Sequence, residues 1–151
     1  MKSPERIAVR NDQRHVAIRS GNVRRLAERA LASFRLEGDI HLNILFVDDL
    51  KMSALHERYM GRRGPTDVLA FGMQEGRRLR GDVSLLGDIV ISAETALRQA
   101  KRFHSNVRRE LALYVIHGIL HLLGYDDRNR ADRLKMRRQE KELLALCKNE
   151  V

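Results

Sequence analysis

The chain of 151 residues has no tryptophan, one cysteine and two prolines, and aromatic residues make up only 5% of it. The lone Cys147 excludes an internal disulfide framework and a cysteine-rich zinc site, and it suits a reducing compartment. Four Phe and three Tyr leave little material for a platform on which nucleic-acid bases could stack. No apolar run approaches the roughly 18–20 residues of a membrane span, and the start MKSPERIAVR lacks the apolar core of a signal peptide. The expectation is one soluble domain over residues 1–151, cytoplasmic, with no membrane or disulfide partner. Nothing in the composition speaks to oligomeric state.

Positive charge is what the chain has in surplus. Lys and Arg number 29 against 20 Asp and Glu, a net charge of +9. Such an excess on one small domain favours a polyanionic partner, most often nucleic acid, although a solvated basic surface produces the same number. With so few aromatics, any RNA contact would rest mainly on phosphates. Hydrophobic residues are 43% of the total, enough for a folded core.

The apolar pattern alternates between strand and helix periods. Ile7 and Val9 suggest a first strand. Val23, Leu26, Ala27, Ala30, Leu31 and Phe34 recur at helical spacing, with Ser20 or Asn22 as candidate N-cap and Gly38 as stop. Ile40, Leu42, Ile44 and Phe46 alternate as a strand, and Asp48-Asp49 caps a helix to about Tyr59. A loop from Gly61 to Thr66 leads into a short strand, Asp67–Phe71. Gly72–Ser84 reads as an exposed basic loop or hairpin. Leu86–Ile91 is the next strand, and Ser92 caps a helix to about Phe103. Asn106 caps another helix, Val107 to about Leu123, which Gly124 stops in the left-handed conformation. A last helix spans roughly Asn129 to Leu146. This order implies an α+β fold, a small sheet covered by helices.

Chemistry concentrates between His117 and Asp127. On a helix, positions four apart lie about 40° around the axis and about 6 Å along it, so His117 and His121 can converge on one ion. That spacing alone is weak, since two histidines on a half-buried face also satisfy it. The continuation His121-x-x-Gly124-x-x-Asp127 strengthens it, because the glycine turns the chain so that residue 127 can return to the metal. Two histidines and a carboxylate form an accepted catalytic zinc set with one position left for water. Zincin peptidases carry a Glu beside the first His as general base, whereas this chain has Gly118. Asp126 is the carboxylate nearest in sequence to accept a proton instead.

The run His117-Gly-Ile-Leu-His-Leu-Leu-Gly-Tyr-Asp126 resembles the signature of the YbeY family, bacterial zinc-dependent endoribonucleases of ribosomal RNA maturation. Two further blocks agree: Gly61 followed by Pro65-Thr-Asp-Val-Leu-Ala-Phe71, and Leu86-Gly-Asp-Ile-Val-Ile-Ser92. The likeness covers about residues 40–146. It implies one α+β domain with a mixed sheet of about four strands, with the metal motif on a helix. It also implies cleavage of single-stranded RNA at the 3′ end of 16S ribosomal RNA, and a part in quality control of the small ribosomal subunit. Two positions depart from the family pattern. Asp127 stands where a third histidine is usual, and a harder oxygen donor relaxes zinc preference towards other divalent ions. Met60 stands where the family has an arginine tied to cleavage; Arg58, Arg62 and Arg63 are its neighbours, and Arg62 is the candidate catalytic substitute.

The candidate set is therefore His117, His121 and Asp127 for one Zn²⁺, Asp126 and Arg62 for catalysis, and Arg58, Arg62, Arg63, Arg77, Arg78 and Arg80 for RNA. Arg128–Lys141, with seven basic and two acidic residues, reads more readily as a solvated helix face. Thr66 and Asp67 are expected to serve the turn and strand start, His41 and His56 the structure, and Cys147 a small apolar contact. Two other readings stay open, a zinc metallopeptidase-like hydrolase and a non-catalytic RNA-binding assembly factor whose metal is structural.

Overall fold

In a computed structural model the elements run β1 (Arg6–Asp12), α1 (Ser20–Ala32), β2 (Asp39–Val47), α2 (Asp49–Met60), β3 (Val68–Gly72), β4 (Val83–Ser92), α3 (Ala93–Arg102), α4 (Val107–Leu122) and α5 (Arg130–Cys147). The structure describes residues 6–34, 39–72 and 83–147. The sheet order is β1-β2-β4-β3, with β1, β2 and β4 parallel and β3 antiparallel along the edge of β4. This is the mixed four-stranded sheet of an α+β domain.

Strand alternation divides the core between two faces. Leu42, Ile44 and Phe46 of β2 and Ile89 and Ile91 of β4 point into the larger core with α1, α3, α4 and α5. Val47 and Val90 point the other way, onto Met52 of α2. Helix α4 carries Leu111, Ala112, Val115, Ile116, Ile119 and Leu120, all buried. Each large side chain of that set contributes about 1.5–3 kcal/mol on burial, so α4 is the buried centre of the larger core.

Asp48, Ser92 and Asn106 cap α2, α3 and α4 through side-chain oxygens that accept N–H groups at 2.8, 3.1 and 2.8 Å. The ends of α1 differ from expectation. Arg19 occupies its cap position without a side-chain bond, so neither Ser20 nor Asn22 caps it. Asn22 instead accepts from Arg25 one turn on. The helix ends at Ala32, just after its buried stripe ends at Leu31, and Gly38 lies outside the described residues. Strand β4 starts at Val83 rather than Leu86, because its first residues pair with the start of β2. The N-termini of α2 and α3 are tied together by Asp49. Its carboxylate accepts from Ser92 Oγ at 2.7 Å, Thr95 Oγ1 at 2.6 Å and Arg98 Nη1 at 2.5 Å. Burial opposes the Asp49 charge, but these bonds outweigh it and hold its pKa below the ordinary carboxylate value.

Candidate metal centre and its cleft

Beyond Arg108 and Arg109 in its first turn, helix α4 is apolar around most of its circumference, and a polar stripe runs along it: Glu110, Tyr114, His117 and His121, spaced by four, three and four residues. Opposite that stripe the helix lies close against β4. A Cβ built on Gly118 would fall 2.7 Å from Ile89 Cγ2, and one built on Gly87 of β4 would fall 2.7 Å from Leu122 Cδ2. Position 118 therefore faces the sheet. A glutamate there would meet Ile89, which removes the general base of a zincin peptidase for a steric reason.

The helix closes in a Schellman turn. Gly124, at φ +97°, donates to the His121 carbonyl at 3.0 Å, and Tyr125 donates to the Leu120 carbonyl at 3.0 Å. This reverses the chain and carries Asp127 back alongside His121. His117 Nε2 and His121 Nε2 lie 3.0 Å apart, and Asp127 Oδ2 lies 4.0 Å from His121 Nε2. One ligand atom from each of the three residues falls within 4.8 Å of the others. Ligands at about 2.0–2.1 Å around a tetrahedral ion are about 3.3 Å from one another, so the histidine pair sits near the required edge length. Two facing Nε2 lone pairs repel unless a proton or a cation lies between them. The donor set thus fits a divalent ion, with Asp127, the most exposed member, on its outer side.

His117 is oriented from behind. Its Nδ1–H donates to Glu140 Oε1 of α5 at 2.5 Å, which leaves Nε2 as the lone pair facing His121. Burial lowers the His117 pKa, but the bond and charge of Glu140, with Asp67 and Asp127, reverse this, and the net shift is upward. His121 shifts downward, through burial and then the charge of His117, against the pull of Asp127 and Asp126. Glu140→Ala should weaken divalent-ion binding about ten- to a hundredfold, read by competition with a chromophoric chelator, and Glu140→Gln should lose less. Affinity unchanged in Glu140→Ala would mean that this bond does not orient the ligand.

Beside the group lies a cleft of about 260 Å³, whose lining includes His117, Asp127, Glu140, Asp67, Arg133 and Arg137. Asp67 accepts from its neighbour Val68 N–H at 2.8 Å, and its carbonyl accepts from Ser92 N–H at 2.9 Å, so it does organise the strand start. It also lends charge to His117 across the cleft. Asp126 is outside the lining. Its Oδ1 accepts the Asp127 N–H at 2.7 Å and its Oδ2 meets Arg128 Nε at 3.0 Å, so both oxygens serve the turn. As a proton acceptor it would first have to leave Arg128.

Arg58, Arg62 and Arg63 are exposed at the end of α2 and on the loop before Asp67, and none of them lines the cleft. Arg58 lies over the Tyr59 ring, and His56 Nδ1 contacts the Gly64 carbonyl at 2.9 Å and fastens the loop. Met60 is 55% exposed beside them. Arg77, Arg78 and Arg80 lie outside the described residues, as does the side chain of Cys147. The basic stretch on α5, read as a solvated face, in fact supplies Glu140, Arg133 and Arg137 to the cleft. One signal in the sequence pointed there: Met136, an apolar residue among charges, sits on the stripe 133, 136, 137 and 140 and is buried.

Comparison with known proteins agrees with this geometry. The family model described as Endoribonuclease YbeY matches residues 8–148. The chain is 40% identical over 143 residues to the Endoribonuclease YbeY of Pelotomaculum thermopropionicum, covering 91% of this chain and 94% of that one. It is 38% identical over 142 residues to that of Syntrophus aciditrophicus, covering 93% and 88%. Among solved structures it is similar to the solution structure of a Thermotoga maritima protein, with a TM-score of 0.62 and 26% identity over 93% of this chain and 90% of that one.

Proposed function

Because the chain belongs to the YbeY endoribonuclease family, we propose that its residues 1–151 form one zinc-dependent, single-strand-specific endoribonuclease domain. Its substrate is the 3′ end of 16S ribosomal RNA, cut late in maturation and in quality control of the small ribosomal subunit, in the cytoplasm. The observation that carries this reading is the convergence of His117, His121 and Asp127 at the mouth of a cleft that also holds arginines. No helix among the described residues is long and apolar enough to cross a membrane.

A divalent ion held by those three residues supplies Lewis acidity, which lowers the pKa of water towards about 7 and polarises a phosphoryl oxygen. The protein does the rest. Glu140 holds His117 in the tautomer that leaves Nε2 free. Asp126 is the proton acceptor nearest the ligands in sequence, with Asp67 as the carboxylate already facing the cleft. Arg58, Arg62, Arg63, Arg77, Arg78 and Arg80 hold the strand by its phosphates, and Arg62 stands in for the arginine that Met60 replaces. The carboxylate of Asp127 admits Mn²⁺ or Mg²⁺ more readily than a third imidazole would.

Incubation of the purified protein with a single-stranded RNA and its duplex tests this. Cleavage of the single strand alone is expected, with loss after chelation and recovery with Zn²⁺. RNA binding without products would favour the assembly factor, and digestion of casein would favour the peptidase. Gly118 against Ile89 counts against that last outcome.

A further inference from the structure

The stripe of α5 that faces the metal centre reads Arg133, Met136, Arg137, Glu140, residues spaced so that all lie on one side of a helix. Two of them fix the rotation of α5: Met136 is 1% exposed, sealed in the core, and Glu140 is bonded to His117. With α5 anchored this way, Arg133 and Arg137 turn into the cleft, one helical turn apart. Arg133 Nη1 reaches the carbonyl oxygen of Asp127 at 3.5 Å, so it sits directly behind a metal ligand. Among the described residues, neither guanidinium is ion-paired. By contrast, Arg128, outside the cleft, is paired with Asp126.

The charge balance of the cleft explains why two arginines are needed there. Asp67, Asp127 and Glu140 contribute three negative charges, one more than a divalent ion cancels. Without further cations the loaded cleft would repel a phosphodiester. Arg133 and Arg137 reverse the balance to a single positive charge, the complement of one phosphodiester. A guanidinium also suits the task geometrically, since its paired N–H groups match two phosphate oxygens.

We propose that Arg133 and Arg137 are the phosphate-binding wall of this cleft, gripping the RNA backbone beside the metal centre. The proposal rests on the endoribonuclease reading and names residues for it that lie outside the 61–66 loop. The exposed cations of that loop hold the strand outside the cleft, and the α5 pair holds it against the ion.

The test uses zinc-loaded protein and a fluorescent single-stranded RNA with 2′-O-methyl groups, followed by anisotropy as salt is raised. Arg133→Ala/Arg137→Ala should bind about tenfold more weakly for each arginine removed. The log–log salt slope should flatten by about 0.7 per lost phosphate contact. Arg130→Ala/Arg138→Ala removes the same charge from exposed positions outside the cleft and should cost much less. Arg137→Ala alone, which breaks no bond to a ligand residue, should raise KM for a cleavable RNA while zinc content and thermal stability stay at wild-type values. The proposal is overturned if the 133/137 variant binds like wild type, or loses no more than the 130/138 variant. Loss of zinc from Arg137→Ala would also overturn it, by making the arginine a support of the metal centre. If wild type neither binds nor cuts RNA, the endoribonuclease reading itself fails and this proposal fails with it.

Discussion

His121→Ala should yield a folded protein that binds its divalent ion at least a hundredfold more weakly and no longer cuts RNA. The fold should survive because the His121 side chain is 31% exposed and fills no part of the core. A substitution at such a site typically changes stability by about 1 kcal/mol or less. The metal should not survive. Four-ligand zinc sites bind with roughly 10–16 kcal/mol, about 3 kcal/mol per ligand, and each 1.4 kcal/mol is a factor of ten. Cleavage should fall to the level of the chelated wild type. Metal analysis, thermal unfolding and RNA digestion on one preparation decide the matter. A variant that keeps both ion and activity would remove His121 from the centre. His117→Ala should behave similarly, with the added cost of leaving Glu140, only 13% exposed, without its partner.

Gly118→Glu should have the opposite profile, losing the fold before the chemistry. The first added carbon would fall 2.7 Å from Ile89 Cγ2 and 3.0 Å from Ile89 Cδ1, inside the range where something must move. Ile89 cannot yield easily, since it is fully buried and branched at Cβ. The carboxylate would then be pressed between α4 and the sheet with no partner, at a cost of about 4 kcal/mol or more. For a chain of this size that lowers the midpoint by roughly 10–15 °C. Gly118→Ala should cost less, about 1–2 kcal/mol, because overpacking of about 1–3 kcal/mol is partly offset by alanine's helix propensity. Thermal unfolding followed by circular dichroism measures both. A Gly118→Glu protein as stable as wild type would mean that α4 does not lie this close to β4.

The parts of the fold legible in the sequence were those set by neighbours along the chain. Asp48, Ser92 and Asn106 announce three helices because a cap is a contact over two or three residues. The candidate ligand group was legible for the same reason: a helix spaces His117 and His121, and Gly124 turns Asp127 back beside them. What stayed hidden depends on rotation and distance. Nothing local says that Glu140, twenty-three residues after His117, is its hydrogen-bond partner. Composition disguised Arg133 and Arg137 as well, because seven cations in a short stretch read as solvated unless the buried Met136 is used to orient the helix. Asp67 was legible as a strand opener, and its second role across the cleft needed α4 to be in place. The start of α1 was misread because Arg19, whose side chain makes no capping bond, occupies the position expected of Ser20 or Asn22.

The Schellman turn at Gly124 has a kinetic side. It confines the three candidate ligands to eleven consecutive residues, nine of them already ordered by one helix and its cap. Closing such a short loop takes little chain entropy, so the ligand set can assemble as soon as α4 forms, on the timescale of local structure. Glu140 and the arginines beside it arrive only when α5 docks from farther along the chain. The spacing of the candidate ligands is therefore set within α4 and its cap, while the rest of the cleft depends on the docking of α5.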